Sequence, residues 1–508
     1  MSESNQTKWQ GEVASELYGQ ILRSSALIGG SSALRIGAGI IRTKVLAVLL
    51  GPSGLGLFGL FSSIASLSQT IVCLGINESG VRQIAVASGS GNRSDIARTA
   101  AALRQMSILL GLLGGILVLV FSREISRVTF NSDRYSLEVS LLGAAVLFQI
   151  VSNGQAALIQ GTRSLPDLAK MNVLGAFTGA LLSVVLVFFL REQGIAPSLV
   201  AVALASLVFS WWYSSRIGIE SYSLTVTQAK QEVLPLVSLG VAFMTSGMVT
   251  VGVSYAVRTI VLHKIGLEAT GVYQAAWTLS GVYVGFILEA MGADFYPRLA
   301  AIADNHDECN RLVNAQMHVG ILLAGPGIIA ALTLAPAILS IFFSARFVLA
   351  AGVLRFICIG TALQVFTWPL NYTIVAKGKQ RLFLLTEIAW GVISLVLAWI
   401  CVSRLGLVGA GVAFVGAYVF YGLIHIPILR GLTGFEISPE NKKICLLTFG
   451  LMVCVFVGFY TVPCWVAVLI GLVAAMLSTI YSIRTLARLM NAGCLPAVIQ
   501  RLLARITH

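Results

Sequence analysis

Fourteen runs of about twenty mostly apolar residues follow one another along the chain, each long enough to cross a bilayer as a helix. They lie near 25–50, 55–81, 101–121, 137–160, 171–190, 197–215, 234–262, 271–293, 314–343, 350–375, 382–403, 407–429, 444–461 and 464–483. Runs this long and continuous differ from the alternating ten-residue segments of a membrane barrel. The expected fold class is therefore all-α: a polytopic membrane protein with about fourteen transmembrane helices. Composition agrees, because only 11% of the 508 residues are charged and 57% are hydrophobic. A soluble domain carries about a quarter of its residues as charged types. Too few polar residues exist here to cover one, which excludes a soluble enzyme, a disordered chain and a nucleic-acid-binding domain.

Basic residues flanking the runs set the orientation. With the N-terminus in the cytosol, 22 Lys and Arg fall on inner segments against 7 on outer ones. Both termini are then cytosolic, as an even number of helices requires. The N-terminal segment has no short apolar core with a small-residue cleavage site, so it reads as a retained tail. No GxxxxGK[ST] loop is present, the loops are short, and neither a CxxC pair nor an acidic cluster appears. The sequence thus offers no catalytic residues, no metal site and no bound cofactor, and it does not read as an enzyme.

The chain also repeats itself. GIIRTKVLAVLLGPSGLGLF followed by LGINESGVRQIA returns as SYAVRTIVLHKIGLEATGVY followed by AMGADFYPRLAAI. Arg42 matches Arg258, Glu78 matches Asp294 and Arg82 matches Arg298, each 216 apart (258 − 42, 294 − 78, 298 − 82). Gly51 and Gly56 match Gly266 and Gly271 after a one-residue gap, and a weaker anchor pairs Gly161 with Gly378. These matches divide the chain into a cytosolic tail (1–23), an N-lobe of helices 1–6 (24–218), a linker (219–232) and a C-lobe of helices 7–12 (233–430). Two extra C-terminal helices (431–485) and a basic cytosolic tail (486–508) complete it. Two parallel six-helix repeats of this kind suit a secondary transporter.

Charges inside a membrane are costly and mark functional paths by default. Arg35 and Arg42 are seven residues apart, close to two helical turns, so they share one face. With Arg258 they form a set of candidate substrate-binding cations suited to phosphate oxygens. A second reading has Arg42 and Arg258 snorkelling to the outer surface; retention of arginine in both halves favours the first. Glu78…Arg82 and Asp294…Arg298 have ordinary i,i+4 ion-pair spacing. They read either as local salt bridges or as gate ion pairs on the cytosolic side. Glu289 lies deeper and is a candidate coupling site for a proton or sodium gradient, or else a neutral structural acid. Gln149, Asn153, Gln155 and Gln160, with Gln364 and Asn371, offer hydrogen bonds to a sugar or to neighbouring helices. His318 and Glu387 sit near the ends of their runs and read as interfacial.

The stretch from Arg35 to Gly39, followed by K-x-LA-x-x-x-GP-x-GLG over Lys44 to Gly56, resembles the first hairpin of bacterial Wzx-type polysaccharide flippases. These belong to the multidrug/oligosaccharidyl-lipid/polysaccharide (MOP) exporter superfamily. The resemblance implies a MATE-like fold of two lobes around a cationic cavity, working by alternating access in the bacterial inner membrane. It implies as cargo an undecaprenyl-diphosphate-linked oligosaccharide, of the O-antigen or surface-polysaccharide kind, moved from the cytosolic to the periplasmic leaflet. Membrane lipids and polysaccharide polymerase machinery are the implied partners, with no nucleic acid. The extra helix pair also resembles the fourteen-helix lipid II flippases. A multidrug or cation antiporter of the same fold is the remaining alternative, and arginines in helix 1 argue against cationic drugs.

Overall fold

The computed structural model describes residues 3–73, 75–89, 93–219, 244 and 247–489, and all regular structure among them is helical. Ten stretches within them are long and apolar enough to cross a membrane. Helices are what lipid demands of such a chain, since each helix satisfies its own backbone donors and acceptors. Packing separates two compact units. One holds the described residues up to Leu50 and those from Leu57 to Tyr255; the other holds Gly51–Gly56 and the described residues from Ala256 onward.

The first unit contains α1 (Glu3–Cys73), α2 (Ile76–Gly89), α3 (Arg93–Val120), α4 (Ser122–Phe130), α5 (Ser136–Gly161), α6 (Leu165–Leu190) and α7 (Ile195–Ser215), followed by part of α8 (247–264). Its core is made where α5 packs on α3 and α7, and α6 on α7. The N-terminal segment expected as a polar tail is drawn as helix continuous with the first span, from Glu3. Short α4 is amphipathic, with Ser126 and Thr129 buried and Arg127 outside. Arg127 grips Asp133 at 2.6 Å and holds its carboxyl below the usual carboxylate range.

The second unit contains the rest of α8, then α9 (Leu267–Ala301), α10 (His306–Thr333), α11 (Ala335–Phe342), α12 (Ala351–Ala376), α13 (Gln380–Leu405), α14 (Val408–Thr433), α15 (Pro439–Thr461) and α16 (Cys464–Leu489). The run expected as one helix over 314–343 is two, because α10 stops at Thr333 and α11 starts with Pro336 in its first turn. Proline is tolerated there, where its missing N–H would have had no partner. The last two helices pack on α10. Asn441 on α15 donates to the Asn314 carbonyl on α10 at 2.8 Å and meets His318 at 2.9 Å, so polar bonds as well as apolar contact seat the pair.

The backbone recurs along the chain as the residues do. Helices α3 and α10 are both 28 residues long; α5 and α12, like α6 and α13, are all 26. Positive φ recurs at Gly51 and Gly266, Arg163 and Gly378, and Arg191 and Gly406, each pair 215 apart. Gly378 therefore aligns with Arg163 rather than with Gly161. Arg191 (φ 54, ψ −130) and Gly406 (φ 63, ψ −145) adopt nearly the same conformation, one that glycine takes freely and arginine does not.

At Gly51 (φ 69, ψ −166) α1 breaks into two arms, and Pro52 opens the second. The elbow belongs to the second unit, where Gly56 and Gly271 bring two backbones together. A Cβ on Gly56 would stand 2.5 Å from the Leu267 carbonyl oxygen, and one on Gly271 would overlap that of Pro52.

Candidate functional site

A cavity of about 450 Å³ opens inside the first unit. The first arm of α1 brings Arg35, Gly39 and Arg42 to it, and α5 brings Gln149, Ser152 and Asn153. Asn172, Gly175 and Ala176 come from α6, and Ser206 from α7. The seven-residue spacing of the two arginines does put both on one wall. Small residues leave the room: a glycine or alanine in a membrane helix lets space open where a larger side chain would fill it.

Arg42 is half-buried, with its guanidinium 5.2 Å from the Phe58 ring centre. Its Nε is buried and has no hydrogen-bond partner. No Asp or Glu lines the cavity. A buried guanidinium nitrogen without an acceptor is expensive in a low-dielectric setting, and an anion in the cavity would supply what the protein withholds. Opposite, Gln149 Nε2 donates to Asn153 Oδ1 at 2.9 Å. Asn172 and Ser206 had no signal in the sequence reading. Asn172 sits beside Lys170 at the start of its run and looked like a helix-end residue, and Ser206 looked like packing.

Arg258 lies in the second unit and is only 6% exposed. Its Nε donates to Gln274 Oε1 at 2.7 Å, and its guanidinium stands 5.8 Å from the Trp277 ring centre. Gln274 is held in turn by Thr278 at 3.2 Å. The structure thus joins Arg35 and Arg42 at one cavity and gives Arg258 a separate, hydrogen-bonded seat.

Arg82 on α2 and Arg298 on α9 are exposed. Their proposed partners Glu78 and Asp294, and the candidate coupling residue Glu289, have side chains outside the described residues. Glu387 is not interfacial: it is 6% exposed and accepts from Tyr421 at 3.0 Å and Asn371 at 3.2 Å. Asn371 is thereby occupied, which leaves the α5 carboxamides as the polar groups facing open space. Among the described residues no three His, Cys, Asp or Glu converge as a metal site.

A helical membrane protein in two units, one of them enclosing a polar cationic cavity, has the architecture of a MOP-superfamily carrier. A MATE-family multidrug transporter of that superfamily in its inward-facing conformation superposes with a TM-score of 0.69 at 15% identity, covering 80% of this chain and 96% of the other. Lipid II flippase MurJ, in an inward closed conformation, also gives 0.69, at 14% identity over 90% and 98%. By sequence, the chain belongs to the polysaccharide biosynthesis protein family, whose profile matches residues 45–351. It is also 22% identical to the lipid III flippase of Escherichia coli (strain K12) over 412 residues, 79% of this chain and 96% of the relative.

Proposed function

We propose that this chain is a flippase that moves an undecaprenyl-diphosphate-linked glycan repeat unit, of the O-antigen or surface-polysaccharide kind, from the cytosolic to the periplasmic leaflet of the bacterial inner membrane. One observation carries the reading: the unpartnered Nε of Arg42 beside a polar cavity with no acidic lining. The guanidinium forks of Arg42 and Arg35 match the oxygens of a diphosphate, and Arg258 adds its charge from the second unit. The lipid tail stays in the bilayer while the polar head enters the protein. Family membership and the lipid III flippase relative support the cargo class.

In this reading, residues 24–218 and 233–430 are the two lobes of an alternating-access carrier, with both termini cytosolic. Glu78–Arg82 and Asp294–Arg298 are its gate ion pairs, and Glu289 is the residue that couples movement to a proton or sodium gradient. Polysaccharide polymerase machinery receives the product. A multidrug or cation antiporter is disfavoured, since a cationic cargo would meet Arg35 and Arg42 with no carboxylate beside them.

Calorimetric titration of the purified protein with farnesyl diphosphate, a short-tailed stand-in for the lipid diphosphate, tests the reading. Arg42→Ala is expected to weaken binding by about tenfold to a hundredfold, the range for a hydrogen bond to a charged group. The melting temperature should hold, because the side chain bonds nothing that it would leave behind. In cells lacking their own flippase, the same variant should fail to restore surface glycan. Unchanged binding by Arg42→Ala would remove the anion site.

A further inference from the structure

The cavity has a second wall that the diphosphate does not use. Across from the arginines stand three carboxamides, Gln149 and Asn153 on α5 and Asn172 on α6. Gln149 and Asn153 share one hydrogen bond, which leaves the Gln149 carbonyl oxygen and the Asn153 amino group unspent. The Asn172 carboxamide forms no hydrogen bond at all. Donors and acceptors are therefore offered side by side, from two helices, to whatever fills the space.

Size limits what that can be. A volume of about 450 Å³ lies low in the range of roughly 300–1,000 Å³ typical of small-molecule sites. A diphosphate with one sugar is a small-molecule ligand in this sense, and a repeat unit of several sugars is not. No aromatic side chain lines the cavity, so a sugar there has no ring face to stack on. Recognition must rest on hydrogen bonds, and hydrogen-bonding walls discriminate strongly between ligands that do and do not complete them.

We infer that the cavity reads the single sugar joined directly to the diphosphate, through the carboxamides of Asn153 and Asn172, while the outer sugars of the glycan stay outside it. The inference rests on the diphosphate reading given above, and it adds the residues that choose among cargoes. These carboxamides recognise the sugar's hydroxyl and amide groups; the arginines recognise only its charge.

Three probes separate the two claims: farnesyl diphosphate, the same lipid carrying one sugar, and the same lipid carrying two. The first sugar is expected to tighten binding by about fivefold to tenfold per hydrogen-bonding residue, and the second to add nothing. Asn153→Ala and Asn172→Ala should each remove part of the first-sugar increment, leaving farnesyl diphosphate affinity and melting temperature as they were. Asn172→Ser, which keeps a donor and an acceptor, should restore part of it. If farnesyl diphosphate fails to bind, the diphosphate reading falls and this one with it. If it binds but the first sugar adds nothing, or the increment survives both alanine variants, the diphosphate reading stands and this one is overturned. Equal gains from the first and second sugars also overturn it. A fall in melting temperature and in farnesyl diphosphate affinity together, in both alanine variants and in Asn172→Ser, would assign the carboxamides to helix packing and overturn it too.

Discussion

Arg42 and Arg258 hold matching places in the two halves of the sequence, 216 residues apart (258 − 42), yet their surroundings have diverged. Arg42 rests on an aromatic ring, leaves Nε without an acceptor and borders open space. Arg258 also lies over an aromatic ring, but its Nε is bonded to Gln274 and the residue is almost sealed from solvent. A residue type retained at both positions thus serves two ends. The first cation is left unneutralised for a ligand, while the second is neutralised in part by its own unit and holds α8 to α9. Repetition in sequence does not guarantee repetition of chemistry, since one glutamine on a neighbouring helix is enough to convert a binding group into a strut.

Three substitutions probe how far the halves differ. The largest effect is expected at the elbow, where the halves are most alike. Gly271→Ala would drive a methyl into the Pro52 carbonyl and should lower stability by about 3 kcal/mol or more, because backbone on both sides cannot move aside. Gly281→Ala, in the same helix with nothing within 4 Å, is the control and should be near neutral. Thermal unfolding in detergent checks both, and equal melting temperatures would show the elbow to be loose. Next comes Arg258→Ala, expected to cost about 2 kcal/mol by leaving Gln274 Oε1 without its donor. Its effect on farnesyl diphosphate binding should be far smaller than that of Arg42→Ala; equal losses of binding would restore the symmetry that the hydrogen bonding denies. The smallest effect is a gain. Arg191→Gly relieves a conformation that costs an L-residue about 1 kcal/mol, and the melting temperature should rise slightly. Gly406→Arg, its mirror in the second half, should lower it by a similar amount.

The apolar runs were legible because lipid imposes one rule on every residue of a span, and the shared face of Arg35 and Arg42 was legible because helical spacing is local. What sequence could not supply were partners brought together by folding. Gln274 is 16 residues from Arg258 across a turn, and nothing in either helix announces the bond. Glu387 looked interfacial from its place in its run, but Tyr421 of the next helix covers it. Asn172 was missed for the converse reason: position suggested a helix end, while the approach of α5 makes it a cavity wall. The strained Arg191 did leave a trace. Its repeat partner is Gly406, and glycine facing a non-glycine at a repeated position points to a backbone that only glycine adopts freely.

The grip on the elbow also fixes an order of manufacture. Residues 51–56 emerge early from the ribosome, but the backbone that clasps them, at 266–271, is made 210 residues later (266 − 56). At a synthesis rate of about 5–20 residues per second, that leaves the bend without its partner for about ten seconds or more. The first span to enter the bilayer is therefore among the last to be seated. Until then it must wait in the lipid with two arginines aboard, which makes the insertion machinery, rather than the finished protein, the first to bear their charge.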